Sequence, residues 1–500
     1  MNLIFKNRIE ILIGIMIIIL YFSLRLPNLT LQPIFADEAI YIRWAQVMRA
    51  EPTLRFLPVS DGKTPLFMWS LIPLLKIFED PLFAGRFLSV LSGFVTLAGV
   101  FALSWLVFGK RSAFWAALIY AIVPYTVFFD RMALVDSMLA AFTIWSIFIA
   151  IWILKSQRLD LAMILGYFLG AALLTKTPAM VNLVVLPFSI IGFSFSKGKY
   201  KLLKLLGCWI VAIIIALSMY NLLRLGPEFQ MLSARNADYV FSPSELSGRP
   251  LDPFVPHLRD IVDWFPKFLT WPVILFMGYG LWVMGRLRSR LGLVILIWAL
   301  VPLLIQMIFL RTFTARYLLF SIPPLLILAG YGIEKITNYK SKITNKIIFY
   351  LLLVLLVIAP VRFDYLLLMN PENAPLPAAE RAGYFEQWTA GYGFYDIAEF
   401  LIREKNSGPV VAGTEGSFGT LPDGLQIYLD KSGIPVIGGQ STISTKLKEA
   451  AIDNQTFFVE NGNRTSIQLD SANMIMEFLK AVPLDPKRTQ EKIILYQIFP

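Results

Sequence analysis

Residues 9–41 read IEILIGIMIIILYFSLRLPNLTLQPIFADEAIY. The first half, to about Leu26, is an apolar run interrupted only by Glu10 and Arg25, close to the ~20 apolar residues that a helix needs to cross a bilayer. It has no clear small-residue cleavage site and further apolar runs follow it, so it reads as a retained anchor and not a signal peptide. The chain then turns at Pro27 and reaches the acid pair Asp37–Glu38 almost at once.

Working outward, the same pattern repeats. Of the 500 residues, 57% are hydrophobic and 16% charged, against about 45–50% and about 25% in an ordinary soluble domain, and mean hydropathy is +0.64. The 12 Trp and 19 Tyr suit the membrane–water interface. About eleven segments have spanning character: 9–26, 83–108, 112–129, 137–154, 161–177, 180–195, 202–225, 267–285, 291–310, 316–334 and 346–369. The expected fold is mainly α, a polytopic membrane helical bundle, followed by a C-terminal soluble α/β domain. Residues 1–370 form the expected transmembrane domain and 371–500 the soluble one, with strands at 409–412, 434–437, 457–459 and 493–496 and a helix following the Gly- and aromatic-rich stretch at 383–399.

The net charge of +11 punctuates the apolar runs. It is a topology signal, not a nucleic-acid footprint. With Lys6 and Arg8 in the cytoplasm, the short loops holding Lys110 and Arg111, Lys155 and Arg158, Lys197 to Lys204, Arg286 to Arg290, and Lys335, Lys340, Lys342 and Lys346 all fall inside. Loops 27–82 and 226–266 and the tail then fall on the non-cytoplasmic side. Cys208 is the only cysteine, so no intrachain disulfide or thiolate cluster is available. There is no Walker A sequence, and His257 is the only histidine, in an outer loop where a surface position is expected.

The residues that remain are charged groups at the ends of apolar runs. Asp37 and Glu38 open a stretch, residues 38–50, in which Ile40, Tyr41, Trp44, Val47 and Met48 share one helical face and Arg43, Gln46 and Arg49 the other. That is the pattern of an amphipathic helix lying in the membrane plane. Asp37 is equally an N-cap, Glu38 a first-turn acid suited to the dipole. Lys63, before Thr64–Pro65 and a short apolar helix, is placed to meet a lipid phosphate or to snorkel. Asp130 and Arg131 suit a turn with a surface ion pair, whereas Asp136 lies at the end of a span, where a carboxylate is costly unless partnered. Lys176 and, in Arg311–Tyr317, Arg316 with Tyr317 complete the set, Arg being the side chain shaped to grip phosphate. The topology puts them in one thin layer, and at least two of Lys63, Lys176 and Arg316 are expected to converge on one cavity with Asp37.

The Asp-Glu after the first span, Lys63–Thr64–Pro65–Leu66–Phe67–Met68–Trp69, Ala84–Gly85–Arg86, and Arg131–Met132–Ala133–Leu134–Val135–Asp136 together resemble the dolichyl-phosphate-mannose protein mannosyltransferase superfamily, of the GT-C glycosyltransferases, and within it the aminoarabinose-transferase-like branch. The resemblance covers about residues 9–335. It implies transfer of a sugar from a polyprenyl-phosphate carrier on the non-cytoplasmic face to a lipid, glycan or protein acceptor, with Asp37 as the key acid. Lys63 matches the lysine of the family's Lys-Pro-Pro motif, altered here to Lys-Thr-Pro, and Gly62 stands where that branch usually has an acid. That departure weakens a metal or acid role at this loop and weakens aminoarabinose as the sugar.

The chemistry then assigns Asp37 as general base, with Glu38 as its partner or helix cap and Asp136 as a further candidate acid. Lys63, Arg131, Lys176, Arg316 and Tyr317 are candidates for the donor phosphate. No cofactor is required; a divalent metal is left open, with no metal ligands assigned. Two other classes share the many spans. A transporter or lipid flippase would carry its charges near the midplane, and a non-catalytic scaffold would not need these groups to converge.

Overall fold

Each of the eleven apolar runs folds as helix, but not all as full spans. In the computed structural model, residues 8–249, 251–338, 343–439, 443–462 and 472–500 are described; Lys6, Lys340 and Lys342, used above for orientation, lie outside the described residues. Among the described residues six helices are long and apolar enough to cross a membrane: Pro81–Phe108, Val135–Ser156, Lys199–Leu225, Arg290–Phe309, Ala315–Thr337 and Tyr350–Met369. Two bent pairs raise this to eight, Lys110–Ile122 with Pro124–Asp130 (58°) and Phe254–Leu269 with Trp271–Arg286 (108°). The shortfall from about eleven has a local cause. Leu159–Thr175 has 17 residues, and Arg8–Ser23 has 16 among the described residues. The 177–192 stretch carries Pro178 and Pro187, each without a backbone donor, and folds as α-helix only over Met180–Val185, with 3-10 turns on either side.

The chain divides into two compact units. The first comprises residues 1–27, 55–67 and 89–368 and holds most of the apolar helices. Val135–Ser156 is 78% buried and so is an inner helix, whereas Lys199–Leu225 is only 28% buried and turns Ile210, Ile214 and Leu217 outward, as expected of a lipid-facing helix. Helices Trp271–Arg286 and Ile322–Asn338 cross so closely that a Cβ on Gly280 would meet the backbone of Leu328, and one on Gly332 that of Phe276. Small residues at a crossing are how membrane helices gain contact. Phe254–Leu269 is amphipathic, burying His257, Ile261, Trp264 and Phe268 at helical spacing. His257 is therefore not a surface residue: its ring stacks on Phe313 at 4.3 Å and Nδ1 lies 2.8 Å from the Met307 carbonyl oxygen.

The second unit comprises residues 28–54, 68–88 and 369–500. Two segments of the first long loop group with the C-terminal residues. Strand β1 (Ile34–Phe35) pairs antiparallel with β2 (Ala390–Gly391). Strands β3 (Val410–Thr414), β4 (Val436–Ile437), β5 (Gln455–Asn461), β6 (Ala472–Leu479) and β7 (Lys492–Ile498) form a mixed sheet in the order β4-β3-β5-β7-β6. β3 is parallel to β4 and β5, and β7 is antiparallel to β5 and β6. Helices Phe394–Glu404, Asp423–Leu429 and Thr445–Asp453 complete the α/β arrangement, with Val411, Leu447, Phe458, Ile494 and Tyr496 in one core cluster.

Candidate active site

In the second unit the acid pair opens the helix Ala36–Ala50. Its N-cap is Phe35, in an extended conformation, so Asp37 is the second helical residue and not the cap. Glu38 is the third, and its Oε2 reaches back to accept from the Phe35 backbone N–H at 2.9 Å. This is half of a capping box, since a Phe side chain has no acceptor to complete it. Glu38 is fully buried and also takes Arg86 two-pronged, Nε to Oε1 at 2.9 Å and Nη2 to Oε2 at 2.8 Å. The remaining Arg86 donors go to the carbonyls of Leu29, Gln32 and Pro33 at 2.8–3.1 Å, so all five guanidinium N–H groups are used. Glu38 thus fixes the start of the helix that carries Asp37, which is itself half-buried.

The rest of this helix does not lie along a membrane surface with its polar face in water. Arg43 and Arg49 both donate to Asp430, at 2.8 and 2.7 Å, and Gln46 donates to the Ile427 carbonyl at 2.8 Å. The polar face binds the Asp423–Leu429 helix region, while Ile40, Tyr41, Trp44 and Met48 are buried on the other side. Asp423 starts that partner helix. Burial pushes its carboxyl up to about 6, against the Gly419 N–H, which donates to it at 2.7 Å, and the charge of Arg43.

In the first unit the expected cations are partly gathered. Lys176 donates to Asp136 Oδ1 at 2.6 Å and lies 4.0 Å from the Tyr317 ring centroid. Arg316 lies 5.1 Å from the same ring and is 8% exposed, buried and not snorkelling. The Tyr125 hydroxyl, donating to the Ala315 carbonyl, ties this junction to the Pro124–Asp130 helix. Asp136, Lys176, Arg316 and Tyr317 therefore form one cluster, drawn from three junctions of the sequence. Lys63 is held instead by Asp61 at 2.8 Å, and Asp61 also accepts from Arg235 at 2.9 Å. Gly62 between them is left-handed, φ 70°, with Arg235 packed where a side chain would go, which accounts locally for glycine at that position.

Asp130 and Arg131 are not a surface pair. Both are buried: Asp130 pairs with Arg25 at 3.1 Å and accepts from Ser137 at 2.8 Å, and Arg131 Nη1 donates to the carbonyls of Arg25 and Pro27 at 2.7 and 2.9 Å. Arg131 thus anchors the exit of the first helix. Arg25 and Asp364, both buried within apolar helices or at their ends, belong to the same charged neighbourhood and were not singled out above, although a charge inside a span is the signal that marks such residues. Among the described residues no group of three or more His, Cys, Asp or Glu is placed to hold a metal ion.

Residues 62–222 match the family model described as dolichyl-phosphate-mannose-protein mannosyltransferase, a stretch that includes Lys63, Arg86, Arg131, Asp136 and Lys176 but not Asp37, Glu38, Arg316 or Tyr317. A search of curated proteins returns no match. Among solved structures, ArnT from Cupriavidus metallidurans bound to undecaprenyl phosphate aligns with a TM-score of 0.61 at 16% identity, over 98% of both chains. The archaeal oligosaccharyltransferase AglB from Archaeoglobus fulgidus, in complex with an inhibitory peptide and a dolichol-phosphate, aligns with 0.55 at 14% identity, over 91% of this chain and 70% of its own. The family model thus covers residues 62–222, and along nearly its whole length this multi-pass chain shares the fold of ArnT.

Proposed function

We propose that the chain is a membrane glycosyltransferase that moves a hexosyl or pentosyl group from a polyprenyl-phosphate donor to a hydroxyl of a lipid, glycan or protein acceptor. The observation that carries this reading is the gathering of Lys176 and Arg316 about Tyr317, with Asp136 beside Lys176. A buried guanidinium and a part-buried ammonium about one aromatic ring suit a phosphate monoester or diester, which can accept charge-assisted hydrogen bonds from both. The likeness to a protein crystallised with undecaprenyl phosphate supports the same donor class.

In the proposed reaction Asp37 takes the proton of the acceptor hydroxyl as its oxygen attacks the anomeric carbon. The new C–O bond forms as the bond from that carbon to the phosphate oxygen breaks. The polyprenyl phosphate leaves with the electron pair, its charge stabilised by Lys176 and Arg316, with Lys63 a further candidate and Arg131 a positioning residue. A single displacement through an oxocarbenium-like transition state inverts the anomeric centre. The basic short loops support a non-cytoplasmic face for this chemistry. Asp37→Asn keeps the size of the side chain and removes the base. Transfer measured with purified enzyme and a polyprenyl-phosphate sugar should fall at least about a hundredfold, with melting unchanged. Normal turnover in that variant would leave Asp37 a first-turn acid of its helix and no more.

A further inference from the structure

We propose that the second unit carries a saccharide-binding groove that holds the remote part of a glycan acceptor, an inference that rests on the transferase reading above. Two cavities, of about 590 and about 210 Å³, share Thr30, Leu82, Tyr395 and Tyr428 as walls and so form one groove. One end is built by Gln32, Pro33 and Ile34, the residues that lead into the helix carrying Asp37. The other is built by Gln46 and Arg49 in that helix's last turns. From Asp37 to Gln46 the helix rises about 14 Å, the length of a short oligosaccharide rather than of one ring.

The walls suit a sugar. Tyr395 is 51% exposed and stands edge-to-face with Tyr428, centroids 5.6 Å apart. Its hydroxyl donates to Glu399 Oε1 at 2.7 Å. A sugar ring offers C–H faces to aromatic rings and pairs of hydroxyls to planar amide, carboxylate and guanidinium groups. The far wall is rigid, because Gln46 is tied to the Ile427 carbonyl and Arg49 to Asp430 and the Leu75 carbonyl. The near end holds the sharper sign. Gln32 is 4% exposed, lines the smaller cavity, and its buried Nε2 has no hydrogen-bond partner within the protein. A buried donor without a protein acceptor is free to meet a ligand oxygen. Phosphate is disfavoured, because Glu79, Asp80 and Glu399 line the groove beside an Asp430 already paired to arginines. A lipid tail would leave these polar groups unpaired.

The test is saccharide retention by the full-length protein in detergent, using a panel of short neutral, acidic and amino oligosaccharides, each offered free and on a lipid tail. Neutral oligosaccharides should be retained, with affinity at least about tenfold weaker in Tyr395→Ala and in Gln32→Leu and unaltered in Arg316→Ala. Tyr395 is exposed enough for its variant to fold even where Gln32→Leu does not. Retention of the lipid-linked form alone, still lost in Tyr395→Ala, supports the groove and names a membrane acceptor; retention of the free form supports it and names a soluble one. No retention of any saccharide, retention indifferent to Tyr395→Ala, or a preference for acidic glycans overturns the proposal. Polyprenyl phosphate binding, measured on the same wild-type sample, separates the two readings. If it binds and saccharides do not, the groove falls and the donor reading stands; if saccharides bind and it does not, the donor reading falls.

Discussion

Arg86 and Arg316 show two uses of one side chain. Arg86 is fully buried with every donor matched to an acceptor, and its partner Glu38 is fully buried too. Removing one member of such a pair strands the other, at about 3–5 kcal/mol. Arg86→Met should therefore lower the melting temperature of the purified protein markedly, and Arg86→Lys should recover only part, because an ammonium cannot match the two-pronged carboxylate and three carbonyls at once. A melting curve like the wild type would remove Arg86 from its anchoring role. Arg316 is buried over the Tyr317 ring beside Lys176, and its loss should be felt in donor binding. Arg316→Ala is expected to weaken polyprenyl phosphate binding sharply and Arg316→Lys to restore some of it; an equilibrium binding assay showing unchanged affinity in Arg316→Ala would leave it a fold residue.

The helix Ala36–Ala50 shows how much was legible in the sequence. Its existence, and the two faces drawn from Ile40–Met48 and Arg43–Arg49, follow from 3.6-residue spacing and are as expected. Its surroundings were not legible. The amphipathic pattern is the same whether the polar face meets water or a protein carboxylate, and Asp430 lies far along the chain. The cap was misplaced by two residues because Phe35 has no capping side chain, and only the β1–β2 pairing fixes it extended. Four strands of the main sheet were visible as apolar runs. β6 was not, because Ala472–Leu479 is an edge strand with mostly exposed side chains and no clear alternation. In the site, Asp136, Lys176, Arg316 and Tyr317 were legible as charges or aromatics at span ends, but Arg25 was passed over inside an apolar run. At the partner helix, Asp423 gives a pH test. Its carboxyl is raised from 3.8 to about 6 by burial, so the folded state holds the proton that the unfolded chain releases. Its contribution is full below about pH 4 and is lost as pH rises through about 6. Asp423→Asn should flatten the fall in thermal stability across that window; an identical pH profile in the variant would show that Asp423 does not titrate there.

Across the whole molecule, every short basic loop agrees on one orientation, and this agreement makes a labelling prediction. In a Cys208→Ser background, cysteines introduced into 371–500 should react with an impermeant maleimide on intact cells, and those in the 197–204 loop should not. The reverse pattern would invert the topology and the proposed site with it. The division of the chain adds a consequence in time. Residues 28–54, which include the helix with Asp37, belong to the same unit as 369–500, with the whole of Ser89–Leu368 synthesised in between. Their partners at β2 and Asp430 follow that stretch in the chain. During synthesis the Asp37 helix must wait for these partners to emerge. A ribosome that stalls before Asp430 therefore leaves Arg43 and Arg49 without the carboxylate that holds them.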